Sequence, residues 1–268
     1  MQLWTWKSDR DRPYLTCALL PQPHGFFTQA FYPEPPEALS TLLAPGAQVY
    51  RVKQVHSGDV LTPTEIEQAT AAGLPNLTDG TAAPFPLADG IVTEKGNQAV
   101  WACSADCTPA LISDISTGQV AAVHAGWRGT AKKILPAAIA RLRAQGSQLN
   151  DLRVALGPAI DGSVYQVEHP VAAEVGATVA TTVTDQSSTD KLLDHLIALE
   201  NPPLLKDEQA DRVRLDVRKI NQMQLEQIGL APEQIAIAPH CTYQEPDRFF
   251  SYRRTREKKV QWSGIVSH

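Results

Sequence analysis

No run of about eighteen apolar residues occurs anywhere in the 268-residue chain, which leaves no candidate for a membrane-spanning helix. Cysteine is scarce: four residues in a chain of this length do not make a disulfide framework, and reduced thiols are expected. A basic excess is missing too, since 24 Lys and Arg stand against 29 Asp and Glu, a net charge of −5. That balance gives no electrostatic footprint for DNA or RNA. One basic cluster, Arg253-Arg254-Thr255-Arg256-Glu257-Lys258-Lys259, is short and reads equally well as a solvated surface. Neither a GxGxxG nor a Walker pattern is present, so nucleotide binding of those two types has no support. HExxH is absent as well, and no histidines are spaced His-x-His. No Gly/Ser linker divides the chain, and no period of about 20 to 50 residues marks a solenoid. The opening Met1-Gln2-Leu3-Trp4-Thr5-Trp6-Lys7 runs into charged residues rather than a leader-like apolar stretch, so a cytoplasmic location is expected.

What is present is an ordinary globular composition, 43% hydrophobic and 20% charged. Short apolar runs read as strands: Leu15 to Leu20, Gln48 to Val55, 90–93, 98–103, 109–113, Gln119 to His124, 152–156 and Ile235 to Ala238. Helices are expected over 37–44, in 166–180 and over 190–199, with a loop over 75–86 and a Thr- and Ser-rich loop over 181–190. Thr62-Pro63-Thr64-Glu65 carries the signals of a capped helix start, closing at Gly73. Thr130 is read as the cap of a helix to Arg143, with Pro136 awkward inside it, and Asp216 as the cap of another ending by Gly229. Strands and helices alternate too irregularly for a clean doubly wound sheet. The expectation is an α/β (α+β) fold: residues 1–268 as a single layered domain, with mixed β-sheets flanked by helices.

The chemistry gathers in one stretch, Cys103-Ser104-Ala105-Asp106-Cys107 followed by an apolar hairpin and His124-Ala125-Gly126-Trp127-Arg128-Gly129. With His56 from an upstream strand end, Cys107 and His124 supply soft and imidazole donors of the kind zinc takes. Three protein ligands with an open position is the catalytic pattern. Spacing by itself is a weak signal that leaves isolated core or surface residues open, and it does not separate a metal site from a Cys–His nucleophile pair. Cys103 is a second ligand or a bystander, and Cys17 a core residue. Asp106 is read as a hydrogen-bond partner of a zinc-bound histidine, as a base, or as a turn cap. Asp89, before Gly90, reads as a turn aspartate or a functional one. Arg128 near a helix start and Arg253 after an aromatic pair suit an anion, and Phe250 or Tyr252 suits stacking on a base. His240-Cys241-Thr242 is a functional strand end or a closing turn; His169, His195 and His268 read as surface or helix histidines.

Taken together, these segments closely resemble the laccase-domain family, whose members have been called multicopper polyphenol oxidases, peptidoglycan editing factors and purine nucleoside phosphorylases. The resemblance is carried by His24-Gly25-Phe26, Lys53-Gln54-Val55-His56, Ala88-Asp89-Gly90-Ile91-Val92-Thr93, the Cys103 to Cys107 stretch and His124 to Gly129. It continues through Gly157-Pro158-Ala159-Ile160, Arg218 with Asn221 and Gln224, Cys241-Thr242-Tyr243 and Phe250 to Arg254, in family order from about 24 to 254. It implies a single α/β domain with one zinc ion (copper less readily) held by His56, Cys107 and His124. It also implies an enzyme of purine nucleosides and phosphate: phosphorolysis of adenosine, inosine, guanosine and methylthioadenosine, with deamination of adenosine. Asp106, Arg128 and Arg253 are the expected catalytic residues, and a monomer without nucleic-acid or membrane partners is favoured. Multicopper oxidation needs about ten His and Cys ligands, and the chain has seven histidines, scattered. Two departures are visible. Gln29 stands where relatives often carry Arg, which shifts expected phosphate contacts to Arg51, Lys53 or Arg128. The common cysteine pair after the Gly-Pro stretch is replaced around Ser163 and Val164. Two alternatives stay open: a thiol hydrolase or amidase of cell-wall peptides, with Cys107 as nucleophile and His124 as base, and a non-catalytic partner protein whose zinc is structural.

Overall fold

A computed structural model describes residues 3–77, 81–180 and 189–268. Two six-stranded sheets form its centre. The first runs in the order Trp4–Asp9, Arg12–Cys17, His24–Phe27, Gln261–Val266, Gln98–Ser104, Gln48–Tyr50. The second runs Ile235–Ile237, Leu152–Leu156, Thr108–Asp114, Val120–Ala125, Gly90–Val92, Val60–Leu61. Both are mixed: each combines antiparallel pairs with parallel ones, 48–50 on 98–100 in the first, 154–156 on 235–237 and 60–61 on 90–91 in the second. The result is a layered α/β domain with mixed sheets flanked by helices, as expected.

The apolar runs read as continuous rather than alternating because the second sheet is buried on both faces. Val120 and Ala122 face the first sheet in a core with Phe26, Val100, Leu111 and Ile265. Ala121, Val123 and Ala125 face the other way, against Ile134, Leu135, Ala138 and Leu142 of the helix Ile134–Ala144. On the outer side of the first sheet, Phe27 and Trp101 pack on Leu39 of the helix Pro36–Leu43. A third, three-stranded sheet, Gln166–Glu168, Arg212–Leu215 and Leu204–Lys206, shares its own core with the helices His169–Gly176 and Thr189–Ile197. No helix among the described residues is long and apolar enough to cross a membrane.

Local chemistry sets the helix ends. Thr62 Oγ1 accepts from the Glu65 N–H (3.3 Å) while a Glu65 carboxylate oxygen accepts from the Thr62 N–H (2.8 Å), a complete capping box before Pro63–Ala72. Asp216 accepts from the Arg218 and Lys219 N–H groups and starts Val217–Gln227, with Gly229 at φ +103° just beyond its end. The helix expected from Thr130 is instead two: Trp127–Ala131, started at Gly126, and Ile134–Ala144, with Lys133 left-handed between them. Pro136 is the reason. It has no N–H and its ring would collide with the carbonyl of residue 132, so the helix restarts with Pro136 in its first turn, where no N–H is required. Thr130 is therefore not a cap; its hydroxyl meets Asn221.

Other boundaries also differ. The strand read over Leu15 to Leu20 is Arg12–Cys17, hairpinned to Trp4–Asp9 through Arg10 and Asp11, both left-handed. Two adjacent left-handed residues are what a two-residue turn between twisted strands requires, but no Asn-Gly or Asp-Gly advertises it. The strand read over Gln48 to Val55 ends at Tyr50; beyond it, Lys53 makes only a single bridge to Leu87. Strands 204–206, 212–215 and 261–266 were not expected. Of the loops read at 75–86 and 181–190, residues 78–80 and 181–188 lie outside the described residues.

Candidate metal centre

The antiparallel hairpin of Thr108–Asp114 and Val120–Ala125 builds most of the centre. Its register pairs Thr108 with Ala125 and Pro109 with His124. Extended by one residue, it sets Cys107 opposite Gly126. A β-carbon at Gly126 would lie 2.7 Å from the Cys107 sulfur and 3.4 Å from the His56 ring, so the absence of a side chain there is what lets the sulfur and the ring approach. His124 shares the register face of Val120 and Ala122, and it is 4% exposed. His56 arrives from the loop after Gln48–Tyr50 in a left-handed conformation, φ +59°. One donor atom from each of His56, Cys107 and His124 lies within 4.8 Å of the other two, and among the described residues this is the group of three or more such side chains able to hold a metal ion.

Asp89 is the organiser that spacing did not single out. Its carboxylate, buried, accepts from His124 Nδ1 at 2.8 Å and from the backbone N–H groups of Val55 and Ser57 at 3.1 and 2.6 Å. Its carbonyl accepts the His124 N–H at 2.7 Å. One side chain thus fixes the tautomer of His124, leaving Nε2 for the centre, and clamps the loop that carries His56. This is the outer carboxylate partner typical of a metal-bound imidazole. The expectation that Asp106 would accept that bond is corrected. Asp106, at φ +94°, accepts instead from the Thr242 hydroxyl and the Arg253 N–H, both at 2.7 Å, and its carbonyl accepts from the Ile160 N–H.

The electrostatics follow. Burial pushes the Cys107 thiol up, but the charge on His124 and hydrogen bonds from His124 and His56 outweigh it and bring the thiol down to about 6. Burial likewise opposes the charge on His124, yet Cys107 and Asp89 raise it to about 10. Cys103, four residues away, has no such partner, and burial sends it up to about 12. Of the two cysteines, Cys107 is the one whose surroundings favour a thiolate, the form a metal takes. Two imidazoles and a thiolate are borderline-soft donors in number and kind suited to zinc with one position left open.

The centre opens into a cleft of about 650 Å³. Arg128 enters it stacked on Trp127, its guanidinium 4.3 Å from the ring centroid. Arg253 enters over Tyr165 at 4.8 Å, steadied by a 2.9 Å bond to the Gln166 carbonyl. Asp106, Lys53 and Tyr252 also line it. Burial holds the Tyr165 hydroxyl up at about 12, so it stays protonated at neutral pH. Several expected residues lie elsewhere. Arg51 pairs with Glu37 and stacks on Phe85. Phe250 turns its ring to Tyr32, and Gln29 donates to the Pro246 carbonyl. His240 pairs with Glu245, Cys241 accepts from the Asp161 N–H, and buried Arg218 binds Asp161 and the carbonyls of Ala238 and His240. These last are closing contacts of the fold, not parts of the cleft.

The chain matches, over residues 37–266, the model of a family described as multi-copper polyphenol oxidoreductase laccase. It is 54% identical over 267 residues to a purine nucleoside phosphorylase of Synechocystis sp., covering 99% of this chain and 98% of that one. It is 31% identical over 181 residues to the purine nucleoside phosphorylase YlmD of Bacillus subtilis, 66% of this chain and 58% of the relative. In fold it is similar to the crystal structure of YlmD from Geobacillus stearothermophilus, with a TM-score of 0.75 at 24% identity and 98% of each chain covered. A Bacillus licheniformis protein, YfiH, follows at 0.73 and 22%, covering 98% of this chain and 99% of that one.

Proposed function

The chain belongs to the multi-copper polyphenol oxidoreductase laccase family, and from that premise we propose that it is a cytoplasmic, zinc-dependent purine nucleoside phosphorylase with adenosine deaminase activity. The proposed substrates are adenosine, inosine, guanosine and methylthioadenosine with phosphate, handled within one domain. The observation that carries this reading is a single His–Cys–His cluster opening directly into a cleft lined by arginines and aromatic rings. The names of the relatives support the same reaction class. Oxidation of phenols by several coppers is disfavoured, because the described residues place one three-ligand group and no second one.

Zinc held by His56, Cys107 and His124 would supply Lewis acidity at the head of the cleft. The protein's own groups do the rest. Asp89 keeps His124 in one tautomer and His56 in one loop conformation. Arg128 and Arg253, each preordered against a ring, hold the phosphate. A phosphate oxygen attacks C1′ as the C1′–N bond breaks, and the purine leaves with a proton. Asp106 at the cleft floor relays that proton, and in deamination it serves the departing ammonia while water supplies the oxygen at C6. The Tyr165 hydroxyl is a neutral donor for the sugar or base, and Trp127 and Tyr252 offer faces for the purine.

A thiol hydrolase remains the second reading, favoured by one observation: Cys107, His124 and Asp89 stand in the order nucleophile, base and orienting carboxylate. His56, also bonded to Cys107, has no role in that arrangement and a clear one in a metal site. The test is one preparation assayed for bound metal and for adenosine conversion with and without phosphate, as wild type and as His124→Ala. About one zinc per chain, phosphate-dependent adenine and phosphate-independent inosine, all lost in the variant, are the expected results. Metal-independent hydrolysis of a peptide or amide that alkylation of Cys107 abolishes would replace this reading with the second.

A further inference from the structure

The cleft carries more positive charge than one inorganic phosphate uses. Six cationic side chains line it, Lys53, Arg128, Arg253, Arg256, Lys258 and Lys259, against two carboxylates, Asp106 and Glu257. That is a quarter of the 24 Lys and Arg of a chain whose net charge is −5. The two carboxylates offset only part of it. Asp106 is engaged by Thr242 and by the backbone of Arg253, and Glu257 pairs with Lys259 at 2.9 Å. Lys53, Arg128, Arg253, Arg256 and Lys258 have no carboxylate partner among the described residues. Like charges gathered in a concave site repel one another, and an anion bound among them relieves that cost.

Their arrangement also preorders them. Three arginines of this cleft lie over three of its rings: Arg128 on Trp127, Arg253 on Tyr165, and Arg256 on Tyr252 at 5.6 Å. Stacking holds each guanidinium by its face and leaves N–H groups for oxygen acceptors, Arg253 having given one of its own to the Gln166 carbonyl. The segment rises from the floor at Arg253, whose N–H is fixed by Asp106, through the short helix Tyr252–Thr255 and left-handed Arg256, to exposed Lys258 at the rim.

We infer that the cleft recognises two anionic groups at once, the second by Arg256 and Lys258, so that its ligands include purine nucleoside 5′-phosphates as well as nucleosides. The inference rests on the proposed function for the purine and on the charge of the rim for the phosphate. A nucleoside 5′-phosphate places its base against the cleft's rings and its phosphate on the rim, and it competes with the nucleoside.

The test is binding to the zinc-loaded, full-length protein, followed by the fluorescence of the tryptophans, with adenosine, adenosine 5′-phosphate and inorganic pyrophosphate as probes. Adenosine 5′-phosphate is expected to bind at least about tenfold more tightly than adenosine, and Arg256→Gln/Lys258→Gln to remove that advantage while changing adenosine binding less than about twofold. Raising salt from 50 to 300 mM should weaken the nucleotide selectively. Equal affinity for adenosine and its 5′-phosphate, or a preference that survives in the double variant, overturns the inference. Pyrophosphate binding as tightly as the nucleotide, with the same dependence on Arg256 and Lys258, overturns the assignment to nucleotides and leaves a plain polyanion site. Because no turnover is read, nucleotide binding that depends on the rim in a protein that converts no nucleoside would sustain the inference while sinking the proposed function.

Discussion

The floor and the rim of the cleft are built on opposite terms. At the floor, the polar groups are saturated by the chain itself: Asp89 takes three hydrogen bonds from His124, Val55 and Ser57, and Asp106 takes two from Thr242 and Arg253. At the rim, Arg256 and Lys258 are exposed and have no carboxylate partner among the described residues. The floor works through geometry in a buried setting, where a lost partner leaves an unpaired group and costs heavily. The rim works through charge in water, where each contact is modest and salt weakens it. Cys103 and Cys107 show the same contrast within five residues: both are half-buried, yet histidine partners bring one thiol down to about 6 while burial, the largest cause, drives the other to about 12.

The comparison breaks first if the floor tolerates change. Cys107→Ser or His124→Ala should cost at least about 10³-fold in zinc affinity, since a structural set of such donors binds zinc with roughly 10 kcal/mol or more; competition with a chromogenic chelator reads this directly. Zinc binding unchanged in either variant would mean that the ligands are elsewhere. Asp89→Asn should follow with a loss of about 10- to 100-fold, the range for outer partners of a ligating histidine, whereas a turn aspartate would leave affinity untouched. Gly126→Ala comes next. Its β-carbon would sit 2.7 Å from the Cys107 sulfur, and about 1–3 kcal/mol of stability should be lost in thermal or denaturant melts, as in other overpacked sites.

Proton release sharpens the same contrast. Ligation needs a thiolate and a neutral imidazole. With Cys107 at about 6 and His124 at about 10, the metal-free pair carries one proton at pH 7.5, on His124. Zinc uptake should therefore release about one proton there, more below pH 6 as the thiol protonates, and none well above pH 10. Calorimetry in buffers of different ionisation enthalpy measures the number. The smallest effect belongs to the far side of the molecule: Thr62→Ala removes a helix cap and should cost about 1 kcal/mol of stability with no change in zinc affinity.

Much of the floor was legible in the sequence, because its residues sit at punctuated places. His124 and Cys107 flank an apolar hairpin whose strands were read nearly to their ends, and the caps at Thr62 and Asp216 are written in side chains that bond their own backbone. Asp89 was visible only as an aspartate before glycine. Its role depends on meeting His124 across a strand pair, and local sequence carries no record of that partner. For the same reason local sequence leaves Asp106 open as a partner of that histidine, alongside a base or a turn cap, when the bond belongs to Asp89. The hairpin through Arg10 and Asp11 lacked the usual turn residues, and the short strands at 204–206 and 212–215 are too brief for a period to show. Arg51 and Arg128 look alike as anion binders, and only the fold separates them: one is spent on Glu37, and the other lies over Trp127 with no carboxylate partner among the described residues.

The proposed centre is one zinc ion held by His56, Cys107 and His124 together. X-ray absorption at the zinc edge, on protein loaded with one equivalent, counts sulfur and nitrogen neighbours without relying on activity. One sulfur at about 2.3 Å and two imidazole nitrogens at about 2.0 Å, completed by a light atom, is the expected shell. Two sulfurs, bringing in Cys103, or none, would contradict it.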